Sequence, residues 1–150
     1  MFRLDGRIAL VTGAATGIGQ AIALALASSG ADIVITDRRL EALAETESQV
    51  LGYGRRVLGV AVDVREQEEI RRCVATVEES FGPIDILVNN AGINRPAPAH
   101  EVTPEEWDDH FNTNVRGGFF MAQLVATGMR RRKWGRVIFI SSQSGLIGIP

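Results

Sequence analysis

One octapeptide, Thr12-Gly13-Ala14-Ala15-Thr16-Gly17-Ile18-Gly19, constrains the fold more than any other stretch of this chain. It follows an apolar run over 8–11 and precedes an alanine-rich segment of helical periodicity that ends near Ser29. That order reads as strand, tight turn, helix. Its glycines permit positive φ and let a ligand approach the backbone closely. A helix starting there offers unpaired N–H groups and the positive end of its dipole, a seat for a phosphate.

The rest of the chain repeats the alternation. Apolar or β-branched runs at 33–36, 57–64, 86–88 and 137–140 are separated by helical patterns. In the first helix Ile18, Ile22 and Leu26 recur at i, i+4 and i+8, with Ala21 and Ala25 beside them. Small residues there bring the helix close to a sheet, and Gly30 supplies its stop. Leu40, Leu43, Val50 and Leu51 mark a second helix. Ile70, Cys73, Val74, Val77 and Phe81 form one stripe of a third, ended by Gly82-Pro83. Thr103-Pro104-Glu105-Glu106 opens a fourth as a capping box with proline at its first position. Trp107 and Phe111 are expected on its buried face, and Asn114 shares that face. Strands and helices in this order predict right-handed crossovers and a parallel sheet covered on both sides. No repeat, low-complexity tract or linker interrupts residues 1–150, which read as one domain.

Several function classes drop out. A net charge of −2 gives no global pull toward nucleic acid or an anionic membrane. Arg130-Arg131-Arg132-Lys133 ends a long helix, where cations suit the dipole, and reads as a solvated helix end. No apolar run reaches the about 18 residues of a membrane span, and the N-terminus lacks the apolar core of a secretory signal. The single cysteine, Cys73, excludes an internal disulfide framework and reads as a core thiol, so a cytoplasmic setting is expected. His100 and His110 have no metal-ligand spacing with other ligating residues, and no metal site is expected. A nucleotide-hydrolysing phosphate loop would need Gly-Lys-Ser/Thr, whereas Gln20 follows Gly19.

Asp37 closes the second strand, 20 residues beyond Gly17. In a dinucleotide fold an acidic residue there accepts hydrogen bonds from the adenosine ribose hydroxyls. Like charge would repel a 2′-phosphate, so Asp37 favours NAD over NADP, although Arg38 and Arg39 could bind such a phosphate. Read alone, Asp37 is equally a helix N-cap. A methyltransferase could also combine a glycine turn with an acidic second strand.

Further motifs narrow the choice. The spacing Gly-x-x-x-Gly-x-Gly after Thr12, Asp63-Val64 after the third strand and Asn89-Asn90-Ala91-Gly92 after the fourth resemble the short-chain dehydrogenase/reductase family. Asn114 falls at the family's helix-four asparagine and Ser142 at its catalytic serine. The resemblance covers essentially all 150 residues. It implies an α/β Rossmann-type doubly wound parallel sheet of strand order 3-2-1-4-5, truncated at its C-terminal end. It implies an oxidoreductase moving hydride between the nicotinamide of NAD or NADP and a secondary alcohol or ketone. Gly13, Thr16, Gly17, Ile18, Gly19, Asp37, Arg38, Asp63, Val64, Asn90, Ala91 and Gly92 would hold the cofactor. Ser142 would polarise the substrate oxygen, with Ser141 facing away, and Asn114 would hold a water in a proton relay.

Asn94, Arg95, Gln143, Ser144 and Leu146 are expected to edge the substrate pocket. Gly117-Gly118 inside the fourth helix suggests close approach of another helix, one that in the family often packs in a subunit interface. A homo-oligomer, dimer or tetramer, is expected. The family's Tyr-x-x-x-Lys should follow shortly after Ser142 and is not within the chain; Tyr53 and Lys133 stand elsewhere. These 150 residues alone are therefore expected to be nearly inactive. The alternative is a non-catalytic dinucleotide-binding fragment or interaction module.

Overall fold

A computed structural model of the chain describes residues 3–142. Five parallel strands form one sheet: β1 (Ile8–Thr12), β2 (Asp32–Asp37), β3 (Val57–Ala61), β4 (Ile86–Asn89) and β5 (Arg136–Phe139). Their order is β3-β2-β1-β4-β5, the expected Rossmann arrangement. Ala9 pairs with Ile33 on one side and Ile86 on the other, and Leu87 pairs with Val137. The third strand stops at Ala61 rather than 64, because its partner β2 ends at Asp37, which pairs with Ala61.

Period-two alternation sorts each central strand onto two faces. Ala9, Val11, Ile33, Ile35 and Val88 join one core with α1 (Gly17–Ser28) and α2 (Ala44–Gly52). Ile8, Leu10, Val34 and Leu87 join the other with α3 (Gln67–Ser80) and α5 (Gly118–Arg132). Leu10 is fully buried, and truncation to alanine at such a position is expected to cost about 2–5 kcal/mol. Cys73 is a core thiol on α3, and burial pushes its pKa up to about 12.

Three helix faces differ from expectation. In α1 the residues that meet the sheet are Gly19, Ala23 and Ala27, not Ala21 and Ala25, while Ile18 is exposed and Ile22 and Leu26 flank the contact. The helix lies so close that only the smallest side chains fit its contact line, which pushes the larger ones to the margins. In the second helical segment a 3-10 turn over Leu40–Leu43 precedes α2; Leu43 and Val50 are buried, but Leu40 and Leu51 are exposed.

The third difference is larger. Helix α4 (Pro104–Phe111), a π turn over Asn112–Gly117 and α5 continue one another without a break. The capping box forms as expected: Thr103 Oγ1 accepts from Glu106 N–H at 3.2 Å and Glu106 Oε2 accepts from Thr103 N–H at 3.0 Å. Yet Trp107 and Phe111 are exposed and stack on each other, ring centroids 4.5 Å apart. Buried Gly117, Met121, Val125 and Met129 continue a row that begins with Asp109 and Thr113. The inward row starts polar because it lines a cavity. The paired glycines meet no second helix among the described residues. A Cβ at Gly117 would lie 2.4 Å from the Val64 carbonyl, and one at Gly118 would lie 3.0 Å from Phe139.

Candidate active site

The glycine turn crosses the carboxyl end of β1, where parallel sheets bind ligands. Gly13 and Gly17 take φ of +63° and +61°, which favours glycine at both. Gly19 has the other need: a Cβ there would lie 2.2 Å from Gly13 O and 2.5 Å from Asn90 Nδ2. Thr16 precedes the helix without capping it, and no acidic residue occupies the first turn. The N–H groups there keep their affinity for an anion. Around Gly17 a Cβ would meet nothing within 4 Å, so the space above the turn is open. These residues fit a dinucleotide pyrophosphate.

Thr12 and Asn90 lock the turn to β4. Thr12 Oγ1 accepts from the N–H groups of Asn90 and Ala91, both at 3.0 Å. Asn90 Nδ2 donates to Thr12 O at 2.9 Å and Gly13 O at 3.0 Å. Asn89, on the opposite face of β4, is buried, and its carboxamide has no hydrogen-bond partner among the described residues.

Two cavities flank this lock. The smaller, about 120 Å³, is bordered by Gly13, Asp37, Arg38, Asp63, Val64 and Arg65 among others. The larger, about 510 Å³, is bordered by Ile18, Asn89, Asn90, Asn114, Ser141 and Ser142 among others. Val64, Ala91 and Gly92 border both. Ser141, expected to face away, thus borders the cavity together with Ser142. Thr16, Gly17 and Gly19 border neither; the first two sit on the exposed rim of the turn, and Gly19 is buried beneath it.

Asp37 is not a helix cap, since the 3-10 turn begins only after Arg39; its Oδ1 accepts from Arg38 N–H at 2.8 Å. Asp63 is gripped by Arg65, whose Nη2 lies 2.6 Å from Oδ2 and whose Nε lies 3.0 Å from Oδ1. Arg65 Nη1 also reaches Asp109 at 2.6 Å, and Arg95 Nη1 reaches the other oxygen of Asp109 at 2.8 Å. Hydrogen bonding from Arg65 is the leading cause that holds both carboxyls below their usual range. Arg95 is thus paired at the smaller cavity rather than presented to the larger one.

Asn114 is exposed, contrary to the buried face expected for it, and its carboxamide is spent on main chain. Oδ1 accepts from Ile93 N–H at 2.7 Å and Nδ2 donates to Ile93 O at 2.8 Å. Gln143, Ser144 and Leu146 lie outside the described residues. Among the described residues no group of three or more ligating side chains is placed to hold a metal. Arg65 and Asp109 were not evident as site residues, because each reads as an ordinary charge on a polar helix start or face.

A family model described as short chain dehydrogenase matches residues 7–150. The chain belongs to the short-chain dehydrogenase family. Gluconate 5-dehydrogenase of Gluconobacter oxydans (strain 621H) is 41% identical over 150 residues, 100% of this chain and 59% of that protein. Sorbitol dehydrogenase of Cereibacter sphaeroides is 44% identical over 147 residues, 97% of this chain and 56% of that protein. The crystal structure of a gluconate 5-dehydrogenase from Burkholderia cenocepacia J2315 in complex with NADP and tartrate matches with a TM-score of 0.93 at 41% identity, covering 99% of this chain and 58% of that one. This short-chain dehydrogenase chain therefore spans 56–59% of the length of these relatives.

Proposed function

We propose that the protein carrying this chain is an NAD(P)-dependent oxidoreductase acting on a secondary alcohol or ketone. The observation that carries this reading is the uncapped, open glycine turn standing between two cavities, with Asp37 beside one and Ser142 beside the other. Residues 1–150 serve as its dinucleotide-binding domain. Gly13, Thr16, Gly17, Ile18 and Gly19 form the pyrophosphate seat, and Asn90, Ala91 and Gly92 form its far wall. Asp37 and Arg38 meet the adenosine ribose, and Asp63 and Val64 border the adenine. When bound, the nicotinamide supplies or takes up the hydride. Ser142 hydrogen-bonds the substrate oxygen at the larger cavity, and Asn114 supports the proton relay by holding the main chain at Ile93.

NAD is preferred to NADP because the Asp37 carboxylate has no cationic side chain paired to it among the described residues. The NADP in the Burkholderia structure makes the comparison worth measuring. Sugar acids and polyols come first in the substrate panel, a choice supported by the names of two relatives, a gluconate 5-dehydrogenase and a sorbitol dehydrogenase. Trp107, Phe111, Val115 and Phe119, all exposed at i, i+4, i+8 and i+12, support a homo-oligomer built on this helix face. No helix among the described residues is long and apolar enough to cross a membrane, and the lone core cysteine suits a reducing cytoplasm.

Titration of the protein with NAD⁺ and NADP⁺, followed by a polyol and sugar-acid panel, tests the reading. Tighter binding of NAD⁺ and turnover of a panel member are expected. Absence of any dinucleotide binding would end it, and tighter NADP⁺ would reverse the weight on Asp37 alone.

A further inference from the structure

Thr46 sits in the first turn of α2, on the stripe between Leu43 and Val50, and is fully buried. A hydroxyl on an otherwise apolar face needs a partner. Thr46 Oγ1 lies 2.9 Å from the carbonyl of Ala14 and 3.4 Å from that of Ala15, both in the glycine turn. Gln20, in the first turn of α1, donates Nε2–H to the same Oγ1 at 3.0 Å. A hydroxyl has one hydrogen to give. With Gln20 occupying a lone pair, that hydrogen is directed to Ala14, the nearer acceptor.

Ala14 is also held from the other side, where its N–H donates to Thr36 O at 3.0 Å. Its carbonyl belongs to the same planar trans peptide as the N–H of Ala15, and the two point in opposite directions. Fixing the carbonyl toward α2 therefore fixes the Ala15 N–H away from α2. Ala14 is itself fully buried, so a carbonyl released from Thr46 would have no water to turn to. The peptide would rotate about ψ of Ala14 and φ of Ala15 in search of a partner.

We infer that Thr46, oriented by Gln20, is a positioning residue that sets the backbone of the pyrophosphate seat from a helix that does not touch the ligand. The inference rests on the dinucleotide reading above. Its test measures binding in the protein carrying this chain, with ADP as the probe that reaches the turn and adenosine as one that does not. Thr46→Val, which keeps the shape and removes the hydroxyl, should weaken ADP about three- to tenfold, the weight of one neutral hydrogen bond. Adenosine affinity should stay unchanged, and Thr46→Ser should restore ADP binding. A lower Tm with unaltered ADP affinity would reduce Thr46 to a packing role and overturn the inference. If Thr46→Val does not fold, Gln20→Leu decides: weaker ADP with unchanged adenosine supports the linkage, and equal affinity for both refutes it. Failure of the unaltered protein to bind ADP would instead overturn the dinucleotide reading itself.

Discussion

Asn114 and Ile93 form a closed pair, the asparagine carboxamide bridging both main-chain groups of the isoleucine at 2.7 and 2.8 Å. The π turn over Asn112–Gly117 is what presents the carboxamide to this strand end. Asn114 therefore acts by fixing the loop after the Asn89–Gly92 tetrapeptide, and its remaining hydrogen-bonding capacity is one N–H and one lone pair. Asn114→Ala should release Ile93, speed amide hydrogen exchange at 93 and lower turnover more than it raises the cofactor Kd. The stability loss should be no more than about 0.5–1.5 kcal/mol, the net weight of a hydrogen bond, because both bonds are exposed and water can replace the carboxamide. Unchanged exchange at Ile93 together with unchanged turnover would show that the pair carries no weight.

Two glycines of the turn make opposite predictions. Gly17 has φ +61° but open space around its missing Cβ, whereas Gly19 has no such space. Gly17→Ala should fold with a penalty of about 1–2 kcal/mol for the left-handed backbone and lose dinucleotide affinity. Gly19→Ala drives a methyl into Gly13 and Asn90, so it should lower Tm more and disturb the Thr12–Asn90 lock. Thermal melts beside a binding titration separate the two, and identical profiles would mean the turn tolerates them for a reason not visible in its geometry.

Alternation of apolar runs was enough to read the five strands, their parallel direction and the third helix, because those segments bury against a sheet with simple periodicity; the strand order came from the family resemblance. The turn and Asn89–Gly92 were legible because glycine and asparagine at those spacings have few structural uses. The phase of the fourth helix was not. Its apolar residues Trp107 and Phe111 face outward while Asp109 and Thr113 face a polar cavity, so the rule that the apolar face is the buried face points the wrong way. Thr46 was missed for the converse reason, as a single polar residue hidden in an apolar stripe.

That outward apolar row is open to test. Trp107 and Phe119 stand exposed at 57% each, on surface that touches no other described element closely enough to cover it. Replacing both by glutamate should cost the subunit no more than about 0.5–1.5 kcal/mol, the weight of the lost Trp107–Phe111 stack. Sedimentation should then show a smaller species than the unaltered protein. An unaltered protein that is already monomeric, or a variant that sediments identically, would remove this row from any interface.

Acid should weaken the clamp at the smaller cavity. The Asp63 carboxyl is held below its usual range, chiefly by hydrogen bonding from Arg65. A folded-state pKa below the unfolded value of about 3.9 means the stabilisation is complete above that pH and is lost as pH falls through the folded value. Tm of the unaltered protein should therefore fall more steeply than that of Arg65→Met below about pH 4, with the two curves converging in stronger acid. Parallel curves across that window would show that the pair adds nothing. The effect should be modest, because Arg65 is one-third exposed and water screens part of the attraction.

Ser141 and Ser142 both border the larger cavity, two and three residues beyond the end of β5 at Phe139. The proposed assignment gives the contact with the substrate oxygen to the Ser142 hydroxyl alone. Removing the hydroxyl that stabilises developing charge on that oxygen should cost about 10²–10³ in turnover, the scale of one such donor. In the protein carrying this chain, Ser142→Ala should show that loss with little change in dinucleotide affinity, while Ser141→Ala should stay within a few-fold of the parent. Steady-state kinetics on the best substrate of the panel, paired with a dinucleotide titration, reads both quantities. Comparable losses from the two substitutions would overturn the assignment of the donor to Ser142 alone.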